Sequence, residues 1–229
     1  MKLLISSPSE HNARGSALLY ILIAVALFAA LGFAVSNMMR SGGAEMASEE
    51  KAGLMADEIL GYARQVRQAV QDMRISNGCD ETDISFENTV VSGYTNGANT
   101  ACQVFHSDGG GLSWIAPASA ITSNPWVFQG RYNISNIGTS NKELLMSLSG
   151  ISQAVCEKIN ERVGVTNPSG PPTNDSFDVS VKFTGTYDDL GALVAGDSGE
   201  ETNFAGKPAA CFDGPSSGTY HFYQVLIAR

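Results

Sequence analysis

Charge is what this sequence has least of. Only 16% of its 229 residues are Asp, Glu, Lys or Arg, against roughly 25% in an average soluble domain. The shortage is concentrated: from Ser16 to Met39 there is no Asp, Glu, Lys, Arg or His. That run exceeds the ~20 residues that a helix needs to cross a bilayer. No second apolar run of that length follows, which excludes a multi-pass transporter. Basic residues are also scarce, 14 against 23 acidic ones, for a net charge of -9. A nucleic-acid binder needs a basic face, so that class falls. Histidine is rare, with three in the chain. Two of them, His106 and His221, follow the run. Close cysteine pairs are missing too: there is no CxxC, which disfavours a zinc knuckle or a thioredoxin-like site.

Aliphatic and aromatic residues recur throughout, so extended disorder is not expected. Mean hydropathy is -0.03, an average over two unlike parts: a charge-free run and an acidic, polar remainder. The remainder is long enough for one domain with its own core.

Four cysteines, Cys79, Cys102, Cys156 and Cys211, all lie after the run. An even number in an extracytoplasmic domain reads as two disulfides. Three pairings are possible. Cys79–Cys102 with Cys156–Cys211 is favoured, because the first is local and the second ties a helix to the C-terminal region. Four buried thiols in a cytoplasmic domain is the other reading.

Ser41-Gly42-Gly43 interrupts the helical pattern, since each glycine weakens a helix by roughly 1 kcal/mol relative to Ala. A hinge or local melting is expected there. Helical spacing resumes over Ala44–Arg74, with Met55, Ile59, Tyr62, Val66, Ala69 or Val70, and Met73 on one face. Asn77-Gly78 is the stop. Ile84–Ser92, Ala101–His106, Trp126–Ser135, Phe177–Thr184 and Tyr220–Ala228 read as strands. Asn141–Val163 reads as a second helix, from Leu144, Leu148, Ile151, Val155 and Ile159 at steps of three and four. Gly185–Pro215 reads as mostly loop. Strands segregated from helices predict an α+β fold with an antiparallel sheet.

The N-terminal segment carries a resemblance. Arg14-Gly15 precedes Ser16-Ala17-Leu18-Leu19-Tyr20-Ile21-Leu22-Ile23-Ala24 and the rest of the apolar run. This resembles the prepilin leader and N-terminal helix of type IV pilin-like proteins, over residues 1 to about 76. The resemblance implies cleavage after Gly15 by prepilin peptidase and N-methylation of Ser16. It divides the chain into a leader, 1–15, a transmembrane and assembly helix, 16–40, an amphipathic helix, 41–76, and an extracytoplasmic α+β head, 77–229. The implied fold class is α+β and pilin-like: a long N-terminal helix, half membrane-spanning and half amphipathic, packed on an antiparallel β-sheet head.

The implied placement is single-pass in the inner membrane, with the N-terminus cytoplasmic and the head periplasmic or in a surface filament. The implied partners are other pilin-like subunits through the apolar helix, the prepilin peptidase and the membrane, and no nucleic acid. Two positions depart from the family. Ser16 stands where Phe or Met is usual, and Tyr20 stands where the fifth mature residue is usually Glu. A minor pseudopilin of type II secretion also lacks that Glu and is assigned to the filament tip. The expected function is therefore a pilin-like or minor-pseudopilin subunit. The alternatives are an uncleaved anchor helix and a non-polymerising anchored binding module.

No catalytic residue, cofactor or metal is expected. Gly196-Asp197-Ser198-Gly199 matches the short motif around a serine-protease nucleophile, but Glu200 replaces the glycine that should follow. A triad would also need His106 or His221 beside Ser198. Asp80, Glu81 and Asp83 cluster without the spacing of a calcium loop. Asp188-Asp189, and Asp197 with Glu200-Glu201, are acidic in the same unspecific way. Ser107-Asp108-Gly109-Gly110-Gly111 lacks the Lys of a phosphate loop and reads as a mobile turn. Asn133 and Asn174 fit the glycosylation pattern. Trp114 and Trp126 read as core aromatics.

Overall fold

The computed structural model describes residues 14–167, 170–173, 177–188, 204–216 and 218–229, except for the side chains of 14–18, 34 and 37–45. By internal contacts the chain divides into two units, Met1–Glu49 and Glu50–Arg229. One helix, α1, covers Arg14–Ser76, 63 residues. Its backbone stays helical through Ser41-Gly42-Gly43, so the expected interruption is absent.

The expected membrane-spanning half does not hold. Among the described residues, no helix is long and apolar enough to cross a membrane. The fold class built on a membrane helix, and the single-pass inner-membrane placement with an extracytoplasmic head, are corrected accordingly.

In the second unit, α1 buries Ala52, Ala56, Ile59, Ala63, Val66, Val70 and Met73. The steps alternate between four and three, which keeps one stripe inward. Three of these seven are alanines, small enough to let the helix backbone come close to what it covers. Charged Glu58, Arg64, Arg67 and Arg74 stay exposed.

That stripe lies on a four-stranded antiparallel sheet made of β1 (Val127–Tyr132), β2 (Glu143–Ile151), β3 (Ala209–Asp213) and β4 (Tyr220–Ile227). The spatial order is β1-β2-β4-β3. The pleat sends alternate side chains to opposite faces. Leu144, Met146, Leu148, Phe222 and Leu226 join the core shared with α1. Leu145, Tyr223, Val225, Ala210 and Phe212 join a second core on the other face, closed by Phe177 and Phe204. The sheet is therefore covered on both sides, and its central strands are buried at nearly every position.

That double burial explains the misread of Asn141–Val163. Leu144 and Leu148 share one face of a strand as readily as one face of a helix. The segment splits into β2 and α2 (Gln153–Val163). Gly150 makes the break, with φ of 75° at an irregularity in the β2–β4 register. Ser152 caps α2 by accepting from the Val155 N–H at 3.4 Å. Leu, Met and Glu prefer helices, and burial between two cores overrides that preference.

Other expected strands also change. Ile84–Ser92 and Ala101–His106 contribute one isolated parallel bridge, Ser85 with Gln103. A short 3₁₀ turn at Thr100–Cys102, capped by Asn99, replaces the second strand. Phe177–Thr184 forms no strand among its described residues, and Asp178 turns the chain by accepting from the Ser180 N–H at 2.7 Å. Inside the expected loop Gly185–Pro215 lies β3. Two disulfides close the second unit, Cys79–Cys102 and Cys156–Cys211, the favoured pairing.

Candidate functional site

The first unit presents its chemistry on α1. Every side chain from Leu19 to Phe33 is exposed, with Tyr20 at 67% and Phe28 at 79%. A run this long passes around the helix several times, so apolar groups point in all directions. A helix apolar all round is stable when something buries it. Tyr20 is part of this apolar surface. Arg14, Gly15 and Ser16 form the start of α1, and their side chains lie outside the described residues.

The second unit is tied together by polar links that the sequence does not advertise. Arg162 of α2 grips Asp57 of α1 with two nitrogens, one of them Nη2 at 3.0 Å from Oδ2. The same Nη2 donates to the Gly53 carbonyl at 3.2 Å. The guanidinium holds the Asp57 carboxyl below its ordinary value, and the carboxylate raises Arg162 in turn. The pair is exposed, so its contribution is small.

Among the described carboxyl groups, Glu143 is pushed furthest from its ordinary value. It is fully buried at the start of β2. One oxygen accepts from the Ile134 N–H at 2.8 Å, and the other has no partner. Burial pushes the carboxyl up to about 7, against smaller lowering by the backbone bonds, Lys142 and Arg229. Nothing in the local sequence marks it, because burial comes from the two cores that meet around it.

The hydrolase motif is not assembled among the described residues. Ser198 lies outside them, as do Asp189, Asp197, Glu200 and Glu201. His106 Nδ1 accepts from the Asp108 N–H at 3.2 Å. His221 Nδ1 lies 2.8 Å from Ser149 Oγ. The His221 ring stacks on Phe212, and burial holds it below the usual histidine value. The neighbouring Asp213 carboxylate accepts from the Gly218 N–H at 2.8 Å and so serves the turn.

The acidic cluster is likewise spent on structure. Glu81 pairs with Arg229 at 2.6 Å, and Asp83 accepts from the Asp80 N–H. Asp188 pairs with Arg131 at 3.3 Å. Among the described residues no group of three or more His, Cys, Asp or Glu is placed to hold a metal. Asn133 accepts from Lys142, and Asn174 lies outside the described residues. Trp126 is buried, and its indole donates to the Ile115 carbonyl at 3.0 Å. Trp114 is half-buried against Phe105 and Phe128.

Two of the clefts among the described residues lie on the second unit. One, of about 290 Å³, runs along α1 beside Gly61, Tyr62, Ile115, Pro117 and Trp126. The other, of about 570 Å³, lies between residues 87–90, 100–106 and 112–114. Comparison of the chain with protein-family models, curated proteins and solved structures finds no match.

Proposed function

We propose that this protein is a structural subunit that assembles through the apolar first part of α1, in the manner of pilin-like or minor-pseudopilin subunits. The carrying observation is the run Leu19–Phe33, exposed on every side. Burying one such leucine or phenylalanine is worth about 1.5–3 kcal/mol. Packing the run among the apolar helices of neighbouring subunits removes that surface from water without any specific pocket. The second unit has its own core and two disulfides, so it keeps its shape whether the apolar first part of α1 is packed or free.

In this reading prepilin peptidase cuts between Gly15 and Ser16, and the new amine is methylated. Tyr20 supplies no carboxylate to neutralise the amine of a neighbour. The subunit therefore fits a minor or terminal position better than a self-repeating one. The test is the mass of the N-terminal peptide of protein purified from its native host. A peptide beginning with methylated Ser16 supports the reading, and a mature chain that retains Met1–Gly15 contradicts it.

A further inference from the structure

The cleft between residues 87–90, 100–106 and 112–114 has no part in assembly through α1, and its chemistry points to a ligand. Three short pieces enclose it. The first is a turn at Asn88, whose Oδ1 accepts from the N–H groups of Val90 and Val91 at 2.9 and 2.7 Å. The second is the 3₁₀ turn Thr100–Cys102, held by the Cys79–Cys102 disulfide. The third is the glycine-rich turn after His106. That turn is packed, not loose: a Cβ on Gly109 would collide with the Gln103 carbonyl, and one on Gly110 with the Val104 carbonyl. The Gly110 N–H donates to Gln103 O at 2.9 Å, and the Leu112 N–H to Val104 O at 3.2 Å. These bonds bring Leu112–Trp114 back to the same cleft as Phe105 and His106.

The walls divide by chemistry. Phe105, Leu112 and Trp114 are apolar, while Glu87, Thr100 and His106 are polar. The polar set has unspent hydrogen-bonding capacity. The Glu87 carboxylate and the Thr100 hydroxyl have no partner among the described residues. His106 Nδ1 accepts from the Asp108 N–H, so the neutral ring carries its proton on Nε2, a free donor. The Trp114 indole N–H is buried without an acceptor. A buried donor left unpaired costs about 1–3 kcal/mol, which a ligand hydroxyl would recover.

We propose that this cleft binds a neutral saccharide of one or two rings. Sugar hydroxyls both donate and accept, which suits a carboxylate and a threonine hydroxyl beside two N–H donors. The C–H face of a sugar ring suits the Phe105–Leu112–Trp114 wall. The volume of about 570 Å³ lies within the roughly 300–1,000 Å³ of small-molecule sites. An anionic ligand is disfavoured, because Glu87 lines the cleft and no Lys or Arg does. An organic cation would face two N–H donors and leave them unpaired.

The experiment titrates the full chain with N-acetylglucosamine, galactose, maltose and choline chloride, each to about 20 mM, a range set for millimolar affinity. The readouts are the NMR signals of the Trp114 indole N–H and the His106 ring. At least one sugar is expected to shift both saturably. Glu87→Ala, at an exposed position, should weaken that sugar about tenfold, the loss of roughly 1.4 kcal/mol. Trp114→Phe, which keeps an aromatic wall, should weaken it several-fold. The proposal is overturned if no sugar gives a saturable shift. It is also overturned if the shift is unchanged in Glu87→Ala, or if choline binds there more tightly than every sugar.

Discussion

The side-chain amide of Asn160 pairs with both backbone groups of Cys211. Its Oδ1 accepts from the Cys211 N–H, and its Nδ2 donates to the Cys211 carbonyl, each at 2.8 Å. Cys211 lies on β3, an edge strand, so the amide completes an edge that would otherwise present unpaired groups. The Cys156–Cys211 disulfide, one turn of α2 away, fixes the same junction covalently. Asn160→Ala is expected to destabilise the protein by about 2–4 kcal/mol, since two buried backbone groups lose their partners. Asn160→Asp should cost at least as much, because a carboxylate oxygen would face the Cys211 carbonyl. Urea unfolding followed by tryptophan fluorescence measures both.

Removing either disulfide should lower stability by about 2–4 kcal/mol. Cys156–Cys211 closes the longer segment, with a separation of 55 against 23 for Cys79–Cys102. Its loss should be the larger, by several tenths of a kcal/mol on loop length alone. Paired Cys→Ser variants compared by thermal melting under oxidising conditions give the order.

The contribution of Glu143 to stability should fall as pH rises from about 4.5 to about 7. The Glu143 carboxyl is raised in the folded protein to about 7. Between the two values the folded state holds a proton that the unfolded chain has lost, so this contribution is complete below 4.5 and gone above 7. His221 acts in the opposite sense. Its folded value lies below the usual 6.5, so its contribution is present above 6.5 and is lost as pH falls through the folded value. Glu143→Gln should remove the first slope and leave the second. Urea midpoints across this pH range, for the wild type and Glu143→Gln, separate the two groups.

Arg162→Ala should cost no more than about 1 kcal/mol, despite the double contact with Asp57. Both partners are exposed to solvent, which screens the attraction. The loss should shrink further in high salt. A penalty of several kcal/mol that persists in salt would mean that the Gly53 contact matters more than the charge.

The sequence made some of this architecture legible. The stripe of α1 was readable because 3.6-residue periodicity needs only local order. The small alanines at Ala52, Ala56 and Ala63 were not recognised as part of that stripe, since small side chains are weak markers of periodicity. β1 was readable from Trp126, Val127, Phe128 and Tyr132, aromatic or β-branched residues that favour a pleated surface. β2 was not, because a strand buried on both faces has no alternation to read. The disulfide pairing was legible in outline. Glu143 and Asn160 were not, because their partners Ile134 and Cys211 meet them only in three dimensions. The charge-free run was plain in composition. Its expected crossing of a membrane was not upheld by the described helix.

We propose that the exposed apolar run of α1 is an assembly surface. The direct test places a photo-crosslinking amino acid at Phe28 in the full chain, in its native host, with the same group at exposed Val181 as the control. Protein adducts in a ladder are expected from Phe28, with crosslinked peptides mapping to the apolar helix of a neighbouring subunit, and no ladder from Val181. A Phe28 variant that yields only uncrosslinked monomer would contradict it.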